Sequence, residues 1–319
     1  MPDPLNNSYY AATANAWQPQ PAFAGTGEYD VAVIGGGFTG LSAALACAEK
    51  GLKVALFEAQ NIGFGASGRN GGQLIPGLRW SMREIDEEFG LERAQAIFDL
   101  AYGAADRVND RIAQHHIACD LKPGHLEAAY KPEHFADMQR EADFLARNFG
   151  WESEIVQPHE MDRHINGGGY HGGIYDARGG HFHPLNYALG LAGAALKAGV
   201  AIFEHSPVQR IDGDRVFTEQ GCAKAQSILL AADNWMGDID RELGGYTVPI
   251  MNYNIATAPL PDADLLLPSD AAIADSRFVL NYFRLSADQR LIFGGVEIYD
   301  QTAPTEIAAF VRKHMVDVF

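Results

Sequence analysis

Basic residues are scarce in this sequence: 24 Lys plus Arg stand against 41 Asp plus Glu over 319 residues, a net charge of −17. Such a field repels nucleic-acid phosphates and anionic headgroups, so a role in gripping DNA or RNA is disfavoured. No Lys or Arg precedes Lys50, so the positive start of a secretory signal is missing. The three cysteines, Cys47, Cys119 and Cys222, include no C-x-x-C pair and are too few for a disulfide framework or a four-cysteine zinc site. A reducing, cytoplasmic setting is expected. The uncharged run Val31–Ala48 is interrupted by Gly35, Gly36 and Gly37, which favour strand, turn and helix over one membrane-spanning helix. No stable membrane insertion is expected. The G-x-x-x-x-G-K-[ST] phosphate loop is also absent.

What remains is a globular composition, 47% apolar and 20% charged, on a chain long enough for two domains. Residues 1–28 have neither helical nor strand period and read as an arm lying over the body. Asp30–Ile34 reads as a strand, Leu41–Ala48 as a helix stopped by Gly51, and Lys53–Phe57 as a second strand, together a βαβ unit. Apolar residues recur every three or four positions from Met82 to about His116, with a break at Gly90, and again after Pro132 up to Gly150, giving amphipathic packing helices. Leu126–Tyr130 reads as a strand and Gly167–His183 as a hairpin or pair of edge strands. Pro184 opens a helix that Gly199 closes. Strands then follow over Val200–Ile211 and Ser227–Ala232, a hairpin over Phe278–Phe293 turning near Ala287 and Asp288, and a short helix from about Pro304.

Gly35, Gly37 and Gly40 form G-x-G-x-x-G at the strand-to-helix turn, and Glu58 closes the second strand. Gly35 permits the tight turn, Gly37 allows close approach of a pyrophosphate, and Gly40 lets the helix pack on the strand. Phe38 and Thr39, inside this motif, are cofactor-binding candidates; the free N–H groups and positive dipole end of the helix it opens favour a diphosphate, while the Glu58 carboxylate can accept from a ribose and repels a 2′-phosphate. A second glycine-rich segment, Gly63-Phe64-Gly65-Ala66-Ser67-Gly68-Arg69-Asn70-Gly71-Gly72-Gln73, follows almost at once.

This order of strand, G-x-G-x-x-G, acid and GASGRNGGQ resembles the FAD-dependent amine and amino-acid oxidoreductases of the D-amino-acid oxidase superfamily, nearest in appearance to the gamma-glutamylputrescine oxidoreductases. The likeness runs from about Glu28 to Gly295. It implies a Rossmann-like FAD-binding domain with a β-rich substrate domain, α/β in class (α+β overall), the FAD domain discontinuous over 29–81 and 184–240 and the substrate domain over 82–183 and 241–319. It further implies that Ala59, Gly65, Ala66, Ser67, Gly68, Arg69, Asn70, Gly71, Gly72 and Gln73 border the cofactor, and that Val208, Ala231 and Ala232 cover its adenosine side. His183, Tyr253, Tyr282 and Arg284 are the substrate-pocket candidates; no catalytic residue is assigned. Two departures stand out. Asn70 occupies the place where some relatives carry a flavin-linking histidine, so FAD is expected to be noncovalent. The family also continues past Phe319 with a strand and a glycine-rich turn, so the chain is expected to be truncated.

The activity implied is oxidation of a C–N bond by hydride transfer to flavin, from a small-molecule amine or amino acid, with a gamma-glutamylated polyamine among the candidates and oxygen as the acceptor. An amino-acid dehydrogenase passing electrons to a quinone or a protein, and a noncatalytic dinucleotide-binding module, are the alternatives. His181-x-His183 lacks a third ligand, so no metal is expected. Gly65-Ala66-Ser67-Gly68-Arg69 has arginine where a hydrolase elbow needs glycine.

Overall fold

The computed structural model describes residues 8–298 and 306–319. The chain forms two compact units: Met1–Asn70 with Gln114–Cys119 and Pro184–Pro249, and Gly71–Ala113 with Asp120–His183 and Ile250–Phe319. One crossing falls inside the second glycine-rich segment, between Asn70 and Gly71, so residues 71–81 group with the second unit and residues 241–249 with the first.

The first unit is built on a six-stranded sheet in the order Ala201–Phe203, Val54–Phe57, Gly25–Ile34, Gly221–Leu230, Arg215–Phe217, Arg210–Asp212. Its first four strands are parallel and the last two form an antiparallel hairpin. Val54–Phe57 is buried throughout, as a strand covered on both faces requires. Ala32, Ile34, Ala55 and Phe57 turn to one core with Val216, Ala223 and Ala225. Val33 faces the other way, toward the helix Phe38–Glu49. Phe23 enters the first core, its ring edge-on to Phe57 at 5.2 Å and to Phe203 at 5.0 Å.

Three sequence expectations change here. The arm contains a short helix, Tyr9–Ala12, and the first strand begins at Gly25, ahead of the expected Asp30. The expected strand Val200–Ile211 is two short ones, because His205 takes φ 49° and Pro207 offers no N–H to a ladder. The strand expected at Ser227–Ala232 runs from Gly221 to Leu230.

In the second unit the sheet order is Met251–Ala256, Leu291–Ile298, Tyr282–Leu285, Ala272–Asp275, Lys122–Ala128, Gly173–His181, Gln73–Leu74, with Glu154–Val156 beside Gly173–His181. Gly173–His181 is one continuous strand and not the expected hairpin. The hairpin Tyr282–Leu285 with Leu291–Ile298 turns over Ser286–Arg290, where the Ser286 N–H donates to Arg290 O and the Gln289 N–H to Ser286 O. One face of the sheet carries Tyr253, Phe283 and Phe293 into a core shared with Val311 and Val318 of the helix Ile307–Val318. Pro304, where that helix was expected to begin, lies outside the described residues. The helices Met82–Phe89, Leu91–His115 and Pro132–Phe149 contribute to a second core around Phe98, Tyr102, Leu145 and Trp151. No described helix is long and apolar enough to cross a membrane.

Candidate dinucleotide site

The turn after Ile34 is shaped by constraints at three glycines, Gly35, Gly36 and Gly40. Gly35 has φ 111°, and a Cβ there would overlap the Ala231 carbonyl. A Cβ on Gly36 would stand 2.8 Å from Ile62 Cδ1 and 3.0 Å from Glu58 Oε2. A Cβ on Gly40 would overlap the Gly35 carbonyl, so helix Phe38–Glu49 can pack this closely on its strand only with glycine there. Gly37 differs. Its backbone, φ −87° and ψ −175°, is open to any residue, and an added Cβ would meet only the Ser67 side chain, Oγ at 2.8 Å. Nothing in the chain's own packing demands glycine at 37 beyond that hydroxyl, whereas a diphosphate approaching the helix N-terminus would.

The helix N-terminus is capped from a distance. Gly37 has no side chain to cap with, and the Phe38 N–H donates instead to Ser67 Oγ at 2.9 Å. The remaining N–H groups of the first turn have no carbonyl within the helix to meet. Thr39 is exposed, and the Phe38 ring packs edge-on to Tyr187 at 5.2 Å. Ser67 is held by its own loop: Ala66–Gly68 is a 3₁₀ turn, Asn70 Nδ2 donates to the Ala66 and Ser67 carbonyls at 3.0 and 3.1 Å, and Arg69 Nε donates to Phe64 O at 2.7 Å with its guanidinium over the Phe64 ring. A Cβ on Gly68 would overlap Gly63 O, whereas Gly65 faces open space.

Glu58 accepts the Gly36 N–H on Oε2 at 2.6 Å and the Gln60 N–H on Oε1 at 2.8 Å. Burial pushes its ionisation above the ordinary carboxylate range, the two N–H bonds pull it back, and the Glu204 charge pushes it up again. Ala59 beside it is exposed; Val208 and Ala232 pack against the Phe57 core, and Ala231 lies against Gly35. An adenosine diphosphate suits this set: an anion-favouring helix end, an acid whose lone pairs are not exhausted by two N–H bonds, and glycines where side chains would intrude.

The second unit carries the remaining candidates. The Tyr282 ring lies between Gly71 and Gly294: a Cβ on Gly71 would stand 2.5 Å from Tyr282 Cε2, and one on Gly294 would overlap the ring. Its hydroxyl donates to Asn252 Oδ1. Arg284 is 3% exposed and does not extend as a free cation; Nε donates to Gly71 O at 2.6 Å and Nη1 to Leu285 O at 3.1 Å, and Nη2 lies where a Gly72 Cβ would be. Gln73 reaches Ile273 O and Phe283 O through Nε2. His183 is buried, and burial first and Arg284 second hold it neutral down to about pH 4. The structure thus gathers Tyr282 and Arg284 against Gly71–Gly72, with His183 within the field of Arg284. Tyr253 is not among them; it points into the core with Phe283 and Phe293, on the face opposite Tyr282, and its hydroxyl has no partner among the described residues. His181, the other half of the H-x-H pair, sets Nε2 2.8 Å from Asp270 O.

Sequence reasoning passed over Glu204 and Ile62. The available signal was one acid at the end of the apolar run Ala201-Ile202-Phe203, which marks either an exposed strand end or a buried, partnered carboxylate.

Over residues 30–319 the chain matches the family described as FAD dependent oxidoreductase. It is 33% identical to gamma-glutamylputrescine oxidoreductase of Escherichia coli (strain K12) over 319 aligned residues, covering 98% of this chain and 75% of that protein. A probable oxidoreductase, OrdL, of Haemophilus influenzae is 34% identical over 98% of this chain and 74% of its own length. The fold matches glycine oxidase from Geobacillus kaustophilus with TM-score 0.68 at 21% identity, covering 92% of this chain and 78% of that one. L-proline dehydrogenase from P. horikoshii gives TM-score 0.70 at 19% identity over 94% and 78%.

Proposed function

The chain belongs to the family of FAD-dependent oxidoreductases, and from that premise we propose that it oxidises a carbon–nitrogen bond in a small amine or amino acid, with a gamma-glutamylated polyamine as the leading substrate class. The observation that carries this reading is the identity of 33% to gamma-glutamylputrescine oxidoreductase along 98% of the chain. Bound FAD would take the hydride from the carbon beside nitrogen, the nitrogen would give its proton to solvent, and water would hydrolyse the imine to carbonyl and free amine.

The protein's part is binding and orientation. Gly37 would keep the phosphate approach clear beside the turn that Gly35 and Gly36 shape, the first-turn N–H groups that Ser67 does not cap would face the diphosphate, and Glu58 would accept from the ribose. Ser67 and Arg69 with Gly65, Ala66, Gly68 and Asn70 form the loop that follows, and Val208, Ala231 and Ala232 close the adenosine side. Within the second unit, Gly71 is held by Arg284 and Gln73 reaches the sheet, beside the proposed substrate residues His183, Tyr282 and Arg284. His183, held neutral, can accept or donate a hydrogen bond without adding a cation that would repel a polyamine. The net charge of −17 favours a cationic substrate in the same sense.

FAD is held without a covalent link, since no histidine lies between Gly63 and Gln73; acid precipitation should leave the colour in the supernatant. The proposed acceptor is oxygen, and three free thiols suit the proposed reducing, cytoplasmic setting. The experiment is anaerobic mixing of the FAD-loaded protein with gamma-glutamylated polyamines, free polyamines and amino acids. Bleaching of the flavin spectrum by the first group is expected, and failure of every amine and amino acid to bleach it would remove the proposal. Re-oxidation by air, compared with a quinone, separates oxidase from dehydrogenase.

A further inference from the structure

A carboxylate removed from water needs partners, and without a cation those partners must be N–H or O–H donors. Glu204 is fully buried, and no cation pairs with it among the described residues. Its Oε1 accepts the Ile62 N–H at 2.7 Å, and its Oε2 accepts the Trp17 indole N–H at 3.0 Å and the Gln20 N–H at 2.6 Å. One carboxylate therefore joins the N-terminal arm to the turn that follows Glu58.

That turn braces the dinucleotide glycines. The Gly63 N–H donates to Gly36 O at 3.0 Å, and Ile62 Cδ1 fills the space beside Gly36 where a side chain would be. The backbone next to Glu204 fixes Glu58 as well: the Ser206 N–H donates to Glu58 O at 2.8 Å and the His205 N–H to Gln60 O at 3.0 Å. Ser206 Oγ in turn accepts the Phe23 N–H at 2.8 Å and donates to Glu204 O at 2.9 Å. From arm to glycine turn the path is two residues long, Glu204 and Ile62.

We propose that Glu204 is a positioning residue of the nucleotide site, which ties the arm around Trp17–Phe23 and the Ile62 turn into one knot, so that arm docking and FAD binding stabilise each other. This rests on the assignment of FAD to the Gly35–Gly40 turn and Glu58. The reason is reciprocity: if a docked arm keeps Ile62 against Gly36 and so favours FAD, then FAD must favour the docked arm by the same factor.

The charge of Glu204 adds a signature that packing alone lacks. The charge that acts on Glu58 is that of Glu204, just past the strand Ala201–Phe203; the glycine turn and Gln60 present N–H groups, the arm presents those of Trp17 and Gln20 to Glu204, and His205 is exposed. Glu204→Gln removes the neighbouring charge and turns an amide N–H toward one of the three donors.

The test uses the purified chain with and without FAD. In the wild type, FAD should slow amide hydrogen exchange across residues 15–23. Glu204→Gln should raise the FAD Kd about tenfold at neutral pH, the size of one charge-assisted hydrogen bond, erase most of the arm protection, and move the acid midpoint of FAD retention to lower pH. Trp17→Phe, which keeps a ring and loses one donor, should raise the Kd about threefold, and its effect should not add fully to that of Glu204→Gln. FAD binding that leaves exchange at 15–23 unchanged, or a Glu204→Gln protein with wild-type Kd and midpoint, overturns the proposal alone. A uniform loss of affinity at all pH values with no midpoint shift reduces Glu204 to packing and overturns it too. Should Glu204→Gln fail to fold, the wild-type exchange and Trp17→Phe decide. A wild type that takes up no FAD removes the cofactor assignment along with it.

Discussion

The two glycine-rich segments look alike in sequence and are constrained by different parts of the molecule. At Gly35 and Gly40 an added Cβ would strike a backbone carbonyl, which cannot be moved without rebuilding the sheet or helix. At Gly71 the obstacle is the Tyr282 ring and at Gly72 the Arg284 guanidinium together with the Phe182 carbonyl. The first segment is thus glycine-rich because the βαβ unit is tight, the second partly because particular side chains occupy the space. Gly37 belongs to neither group, since only a hydroxyl stands near it.

The largest effect on folding should come from Gly40→Ala, whose Cβ meets the immovable Gly35 carbonyl; a loss of about 3 kcal/mol or more is expected in denaturant melts of the FAD-free protein. A near-wild-type melt would mean the helix can lift off its strand, and the contrast with the second segment would collapse. Gly37→Val should do the reverse. Its apo-protein melt should shift much less than that of Gly40→Ala, while FAD retention, read from the absorbance ratio after gel filtration, should be lost. Wild-type FAD affinity in that variant would put the phosphate approach elsewhere.

Two buried groups, one in each unit, respond to pH with opposite sign. In the second unit His125 is buried, its Nε2 has no partner among the described residues, and burial lowers its ionisation to about 4 from 6.5. The unfolded chain takes up a proton there first, so stability is complete above about 6.5 and is lost as pH falls toward 4. Between pH 7 and pH 5 that one residue should cost about 2 kcal/mol of unfolding free energy. Glu58 in the first unit carries the opposite sign: its raised ionisation makes its contribution fall as pH rises past the ordinary carboxylate range. Melts of wild type and His125→Leu at the two pH values check the first slope, which the substitution should flatten.

The smallest effect should be that of Gly71→Ala, about 1 kcal/mol, because the ring it meets can shift. In a Tyr282→Ala background the same substitution should become nearly neutral. A penalty that persists there would show that backbone, and not the ring, limits residue 71.

The βαβ unit was legible because its signals are local: an apolar strand, glycines at fixed offsets and an acid at the next strand end depend on neighbours in sequence. Gly173–His181 was misjudged because its many glycines imitate turn chemistry, while its strand character comes from three partners, Lys122–Ala128, Glu154–Val156 and Gln73–Leu74, distant in the chain. Val200–Ile211 was overextended because apolar alternation continues through a stretch that His205 and Pro207 divert. The substrate candidates show the same limit. Tyr253 and Tyr282 are equivalent as letters, and only pairing with Leu291–Ile298, with a bulge between Tyr253 and Asn254, places them on opposite faces.

By itself the sequence determined the glycine turn after the first strand, the acid at the next strand end and the family to which the chain belongs, since each rests on backbone geometry that glycine and a strand end impose locally. Tertiary structure alone decided that Arg284 holds a glycine turn, that Tyr253 faces away from Tyr282, and that Glu204 joins the arm to the Gly36 brace. These depend on which groups meet after burial, where an unpartnered charge or N–H is costly and the fold must find each one a partner.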